Sequence, residues 1–136
     1  MERMSKTILC ITDFSHSSDS ALTCAASLAH DLNAHLTLLY TYRLHAEKGE
    51  EIFDCKKRKD REAANSFSIL EKAFLQHKGI DYDLKTEVGF LGDRIDAMAR
   101  KTEISFIVVA KDMKAKNKEA FDELFEQASV PIIIAR

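Results

Sequence analysis

Apolar positions along this chain follow two rhythms that take turns. The run KTILCIT, residues 6–12, is apolar nearly throughout and ends in the turn cluster DFSHSSD. That predicts a strand buried on both faces, as in a parallel sheet. Ala21, Leu22, Ala25, Leu28, Ala29 and Leu32 then recur at helical spacing. Ser15 or Ser18 stands where its side-chain oxygen would cap that helix. A second strand is predicted over 34–43. From Leu44 to Asp60 the periodicity fails, and a loop excursion is expected. A long helix starts somewhere between Glu51 and Arg61 and is striped by Ala63, Phe67, Leu70 and Phe74. Gly79 is its expected C-cap. Residues 80–89 alternate apolar and polar, which suits an edge strand, and 92–103 read as a short helix. Asp93 is that helix's candidate cap, with Asp96 as a weaker capping-box partner. ISFIVVA, 104–110, is the second buried strand. Phe121, Leu124, Phe125 and Ala128 mark a last helix, and VPIIIAR closes the chain as a fifth strand.

Strands that alternate with helices imply right-handed crossovers and a sheet covered on both faces. The expected architecture is a three-layer α/β sandwich around a five-stranded parallel sheet, with residues 1–136 as one domain. Composition agrees: 46% hydrophobic and 31% charged residues fit neither a disordered chain nor a membrane-embedded one. No apolar run approaches the roughly 20 residues of a spanning helix. The first apolar run is short and leads straight into a turn, so no secretory leader is expected. A net charge of −2 gives no general pull toward nucleic acid or anionic lipid. Three cysteines, an odd number, argue against a disulfide framework and for a reducing, cytoplasmic setting. Cys10 and Cys24 read as small core residues. Cys55, followed by Lys56 and Lys57, is the one with a case for a lowered thiol pKa.

In open parallel sheets, ligands bind beyond the carboxyl ends of the strands, where the strand order reverses. The runs 6–12 and 104–110 are the natural central pair, which sets Thr12, Asp13, Phe14 and Ser15 opposite Ala110, Lys111 and Asp112. An acid beside basic groups in such a crevice suits a polar ligand. The plainer reading, and the favoured one, is that Asp13 caps a helix or pairs with Lys111. Phe14 is a candidate plug for the crevice. The five histidines show no metal-ligand spacing. Asp13, Ser15 and His16 contain the letters of a hydrolase triad, but they are too close in sequence to orient one another, and no nucleophile elbow is present. The basic run CKKRKDR, 55–61, has no interleaved aromatics to stack bases and reads as the solvated start of a helix.

The stretch ILCITDFSHSSDSALTCAASLAHDLNAHLTLLYTY resembles the opening of the universal stress protein family, a strand followed by Asp-Gly-Ser and then spaced Ser and Ala-Leu. Asp13, Ser15, Ser18, Ala21 and Leu22 match, with Phe14 in place of the glycine. Gly92 and Asp93 match the family's turn into its third helix, and FIVVAK and VPIIIAR are similar to its last two strands. The resemblance implies a Rossmann-like sheet of the adenine-nucleotide α-hydrolase-like type, ordered 3-2-1-4-5. ATP-binding members carry spaced glycines after the fourth strand, whose backbone amides form a nest for the phosphates. Here Ala110 and Met113 hold the first two of those positions, and no glycine follows Gly92. The resemblance therefore implies the ATP-independent branch, a non-enzymatic stress-response or signalling module that needs no cofactor, ATP included. It also implies a homodimer paired along Val130, Pro131, Ile132, Ile133 and Ile134, and association with a protein partner that the sequence does not identify. The alternative is a nucleotide- or anion-binding sensor at Thr12, Asp13, Ser15, Thr41, Ala110 and Lys111. Thr41 there falls near the family's adenine-contacting position, and Lys111, Lys114, Lys116 and Lys118 would supply point charges in place of glycine amides.

Overall fold

The structure is a computed structural model and describes residues 6–136. Five strands, β1 (Lys6–Ile11), β2 (His35–Tyr42), β3 (Tyr82–Val88), β4 (Glu103–Ala110) and β5 (Ile132–Ala135), form one sheet. Its order is β3-β2-β1-β4-β5, and every pairing is parallel. Ile8, Leu9 and Cys10 are completely buried, as a strand flanked and covered on all sides requires. Each such aliphatic side chain contributes about 2 kcal/mol by leaving water.

Helix α1 (Asp19–Leu32) and the long α2 (Ile52–Leu70) cover one face of the sheet. Ala21, Leu22, Ala25 and Ala29 of α1 pack there with Ile8, Cys10, Leu36 and Leu38. Helix α2 opens within the expected window, and its last turn widens into a π-helical one over Glu71–Leu75. Gly79 does not cap it: the capping position is Gln76, and Gly79 takes its φ of +67° in the turn beyond. Helices α3 (Leu91–Ala99), α4 (Met113–Lys116) and α5 (Lys118–Gln127) lie on the other face. There Leu91, Ile95 and Leu124 pack against Leu9, Leu39, Ile107 and Val109.

Two caps differ from expectation. Helix α3 begins at Leu91, with Phe90 as its N-cap, so Asp93 sits inside the first turn and caps nothing. Ser18 does occupy the N-cap of α1, but its backbone is helical (φ −79°, ψ −5°), because a 3-10 turn over His16–Ser18 precedes the helix. Its hydroxyl instead donates to the Ser15 carbonyl at 2.7 Å and shares a hydrogen bond with Thr12 at 3.1 Å. The last helical stripe is also split: Leu124 is buried, whereas Phe125 is exposed. The excursion after β2 is tied to α2 by Arg58, which binds Glu50 at 3.0 Å, and by the buried Cys55 thiol, which donates to the His45 carbonyl at 3.4 Å. Cys55 is fully buried, so its lysine neighbours in sequence do not make it an accessible thiol. Burial pushes the Cys10 thiol up to about 12.

Candidate functional site at the strand ends

β1 and β4 run side by side at the centre of the sheet, and their connections leave toward opposite edges. A crevice must open at their carboxyl ends. It measures about 230 Å³, and Thr12, Asp13, Thr41, Ala110, Asp112 and Lys116 are among its lining residues. Four of the six residues expected at the site therefore meet there. A wider hollow, about 530 Å³, lies at the other end of the sheet beside Lys6, where the described residues begin.

Each wall has a local cause. The chain leaves β1 by a turn in which Phe14 adopts φ +62°, a left-handed backbone that glycine takes freely. The Phe14 amide donates to Thr12 Oγ1 at 2.9 Å, and Asp13 Oδ1 accepts from the Ser15 amide at 2.8 Å and from the Ser15 hydroxyl. The Phe14 ring does not plug the crevice. It packs on the α1–α2 side, with its centre 5.0 Å from that of Tyr40.

The opposite wall corrects the expected pairing of Asp13 with Lys111. The Lys111 amide still continues the β4–β5 ladder, donating to the Ala135 carbonyl at 3.0 Å, and its side chain is exposed and outside the crevice lining. The helical turn α4 then swings Lys116 round to the site. Its Nζ donates to Ser17 Oγ at 2.7 Å and Ser15 Oγ at 3.0 Å, and lies 3.3 Å from Asp112 and 4.0 Å from Asp13. Ser15 thus belongs to this latch and not to the crevice lining. A hydrogen bond from the Ser17 hydroxyl, then Lys116, hold the Asp112 carboxyl below its ordinary range. The four-residue spacing of Asp112 and Lys116 on one helical face was the sequence signal for this pair. Ser17, by contrast, had no distinguishing neighbour.

Among the described residues, none after Gly89 has a positive φ. The segment that follows β4 is a short helical turn, with Met113 packed toward the core. Nor does any group of three or more His, Cys, Asp or Glu among the described residues stand close enough to hold a metal ion.

The family model for the universal stress protein family matches residues 4–129. The chain belongs to the universal stress protein family. Solved structures agree in fold. The universal stress protein UspA of Lactobacillus plantarum is 20% identical, with a TM-score of 0.73 over 99% of this chain and 100% of its own. A universal stress protein in complex with cAMP is 16% identical, with a TM-score of 0.71 over 98% of both chains. The universal stress protein of Archaeoglobus fulgidus in complex with dAMP is also 16% identical, with a TM-score of 0.69 over 98% of this chain and 100% of its own. No curated protein sequence matches. The sheet order 3-2-1-4-5 and the helices on both faces are those expected from the resemblance.

Proposed function

We propose that this universal stress protein is a non-enzymatic module that acts by association, as a homodimer joined along β5. The observation that carries the reading is the apolar edge of the sheet. Among the described residues β5 pairs only with β4, and Ile134 on it is 49% exposed. On the same side of the sheet α5 presents Phe125, 48% exposed and 4.6 Å from Phe121 between ring centres. An unpaired apolar strand invites a second chain, and a two-fold partner offers the same edge in return. Val130, Pro131, Ile132 and Ile133 complete that seam. The module reading also fits the segment after β4. No described residue there has the positive φ that the glycines of a phosphate nest supply, and Lys116 is engaged by Asp112, Ser15 and Ser17.

Light scattering at micromolar concentration tests the association: a dimer is expected for the native chain, and a monomer for Ile134→Lys. A native monomer at that concentration overturns the proposal. Thermal melting in millimolar ATP tests the phosphate argument, with no rise in midpoint expected.

A second reading rests on the crevice itself, which is open because Phe14 points away from it. Two of the similar structures hold cyclic or single-phosphate nucleotides, which need no triphosphate nest. In this reading the chain is a nucleotide sensor, and its lysine is Lys116, not Lys111. A melting-point rise with AMP or cAMP that is lost in Lys116→Ala selects this reading. Equal melting with and without those nucleotides removes it.

A further inference from the structure

The sheet has a second edge, at β3. Its hydrogen bonds fix which backbone groups face outward. The Leu36 amide donates to the Asp81 carbonyl and the Gly89 amide to the Tyr42 carbonyl, both at 2.9 Å. Between them the ladder of β2 and β3 runs from Tyr82 to Val88 without a register break. Main-chain groups alternate in direction along a strand, so the odd positions 81–89 turn toward β2. Tyr82, Leu84, Thr86 and Val88 therefore point their amides and carbonyls away from the sheet. Among the described residues no strand takes them up.

Side chains alternate as well. Tyr82 and Leu84 pack beneath α1 and α2, so Asp83, Lys85 and Glu87 stand on the opposite face. Asp83 is engaged there by His35 at 2.8 Å and Thr37 at 2.7 Å. Lys85 and Glu87 form no ion pair within 4.0 Å among the described residues. Edge strands are commonly guarded by a proline, a bulge or a lysine. β3 has neither proline nor bulge, and its one lysine stands two positions from an acid of opposite charge.

We propose that a second copy of this chain pairs with β3, antiparallel and two-fold symmetric about Thr86. Thr86 then faces its own copy, and Leu84 faces Val88 of the partner subunit. All three positions point outward, so these pairs exchange amide–carbonyl bonds. Between them Lys85 falls opposite Glu87 of the partner subunit, and the same contact repeats across the axis. These are the closer, non-hydrogen-bonded positions, where opposite charges attract across strands. Other registers lose the match. Centred on Lys85, the pairing sets lysine against lysine; centred on Leu84, it needs Asp83, which His35 and Thr37 already hold. Helix α2 leaves room for the partner. It lies over β2 and β3, where Asp60 meets Tyr42 and Phe67 meets Tyr82. Strand spacing then sets α2 and its copy about 10 Å apart, an ordinary helix-packing distance. Little apolar surface is covered and the ion pairs stay exposed, so the seam is weak, with a Kd of about 0.1–1 mM. It is separate from β5, and chains that use both edges build open-ended rows.

Sedimentation equilibrium between about 10 μM and about 1 mM reads this seam. With β5 blocked by Ile134→Lys, the mean mass is expected to rise from monomer toward dimer over that range, whereas the native chain grows past the dimer. Thr86→Pro removes an outward amide that the ladder with β2 does not use. It is expected to abolish the rise while the circular dichroism stays native. Lys85→Glu and Glu87→Lys each set like charges opposite one another and are expected to lose the rise. The double variant restores opposite charges and is expected to recover it. The proposal is overturned if the mass stays flat up to about 1 mM. It is equally overturned if the rise survives Thr86→Pro, or if the double variant associates no better than the single ones. None of this depends on β5: with that edge unpaired, the native chain itself gives the monomer–dimer step.

Discussion

Phe14 shows how one residue carries two opposed energies. Its left-handed backbone costs a bulky L-residue about 1–2 kcal/mol. The ring offsets this by packing on Tyr40 and the core under α1, and the Thr12 hydroxyl holds the amide. Replacing the ring therefore destabilises the fold, but the smallest residue is not the worst. Phe14→Gly is expected to unfold at higher urea than Phe14→Ala, by about 1 kcal/mol, because glycine alone escapes the strain. That order reverses the usual helix and strand preferences. An alanine variant as stable as the glycine one would mean that the φ of +62° stores no strain.

At the level of elements, α4 and α5 are joined by Asn117, which ends one and caps the other. Its Oδ1 accepts from the Ala120 amide at 3.1 Å, the only N-cap side-chain bond among the described helices. Asn117→Ala is expected to cost about 1 kcal/mol in urea unfolding. It also loosens the turn that holds Lys116. Legibility differed between elements for physical reasons. The runs around Ile8 and Val108 were plain, because a strand covered on both faces must be apolar at nearly every position. Turn α4, four residues long, is too short to show a period, so the sequence points to Lys111 beside Asp13, whereas the fold brings Lys116 there. Capping depends on backbone angles as well as residue type, and the sequence shows only the latter. Ser18 has the right side chain, but its helical φ and ψ turn the hydroxyl toward Thr12 and the Ser15 carbonyl.

For the whole molecule, three carboxylates on two segments, Glu50 and Asp60 near α2 and Asp112 after β4, set the response to acid. Hydrogen bonds from Arg58 lower Glu50. At Asp60 burial pulls upward, but bonds from Lys56 and Tyr42 outweigh it and lower the carboxyl. Asp112 is lowered by the Ser17 hydroxyl and then by Lys116. A carboxyl lowered in the fold stabilises it fully above its unfolded value, about 4, and loses that contribution as pH falls through the folded value. Tyrosine acts on the alkaline side. Burial, then the bond to Asp60, raise Tyr42, while the bond to Glu71 and then burial raise Tyr82. Their contribution is complete below an unfolded value of about 10 and is lost as pH rises through the folded one. The melting temperature is therefore expected to fall below about pH 4 and above about pH 10, with these groups silent between. Two variants separate the causes, because Tyr42 Oη donates to Asp60 at 2.9 Å while Asp112 touches no tyrosine hydroxyl. Asp112→Asn flattens only the acid limb. Asp60→Asn flattens the acid limb and part of the alkaline limb, leaving the contribution of Tyr82 and the share that burial imposes on Tyr42. An alkaline limb unchanged by Asp60→Asn would show that the Tyr42–Asp60 bond does not couple the two ends of the pH curve.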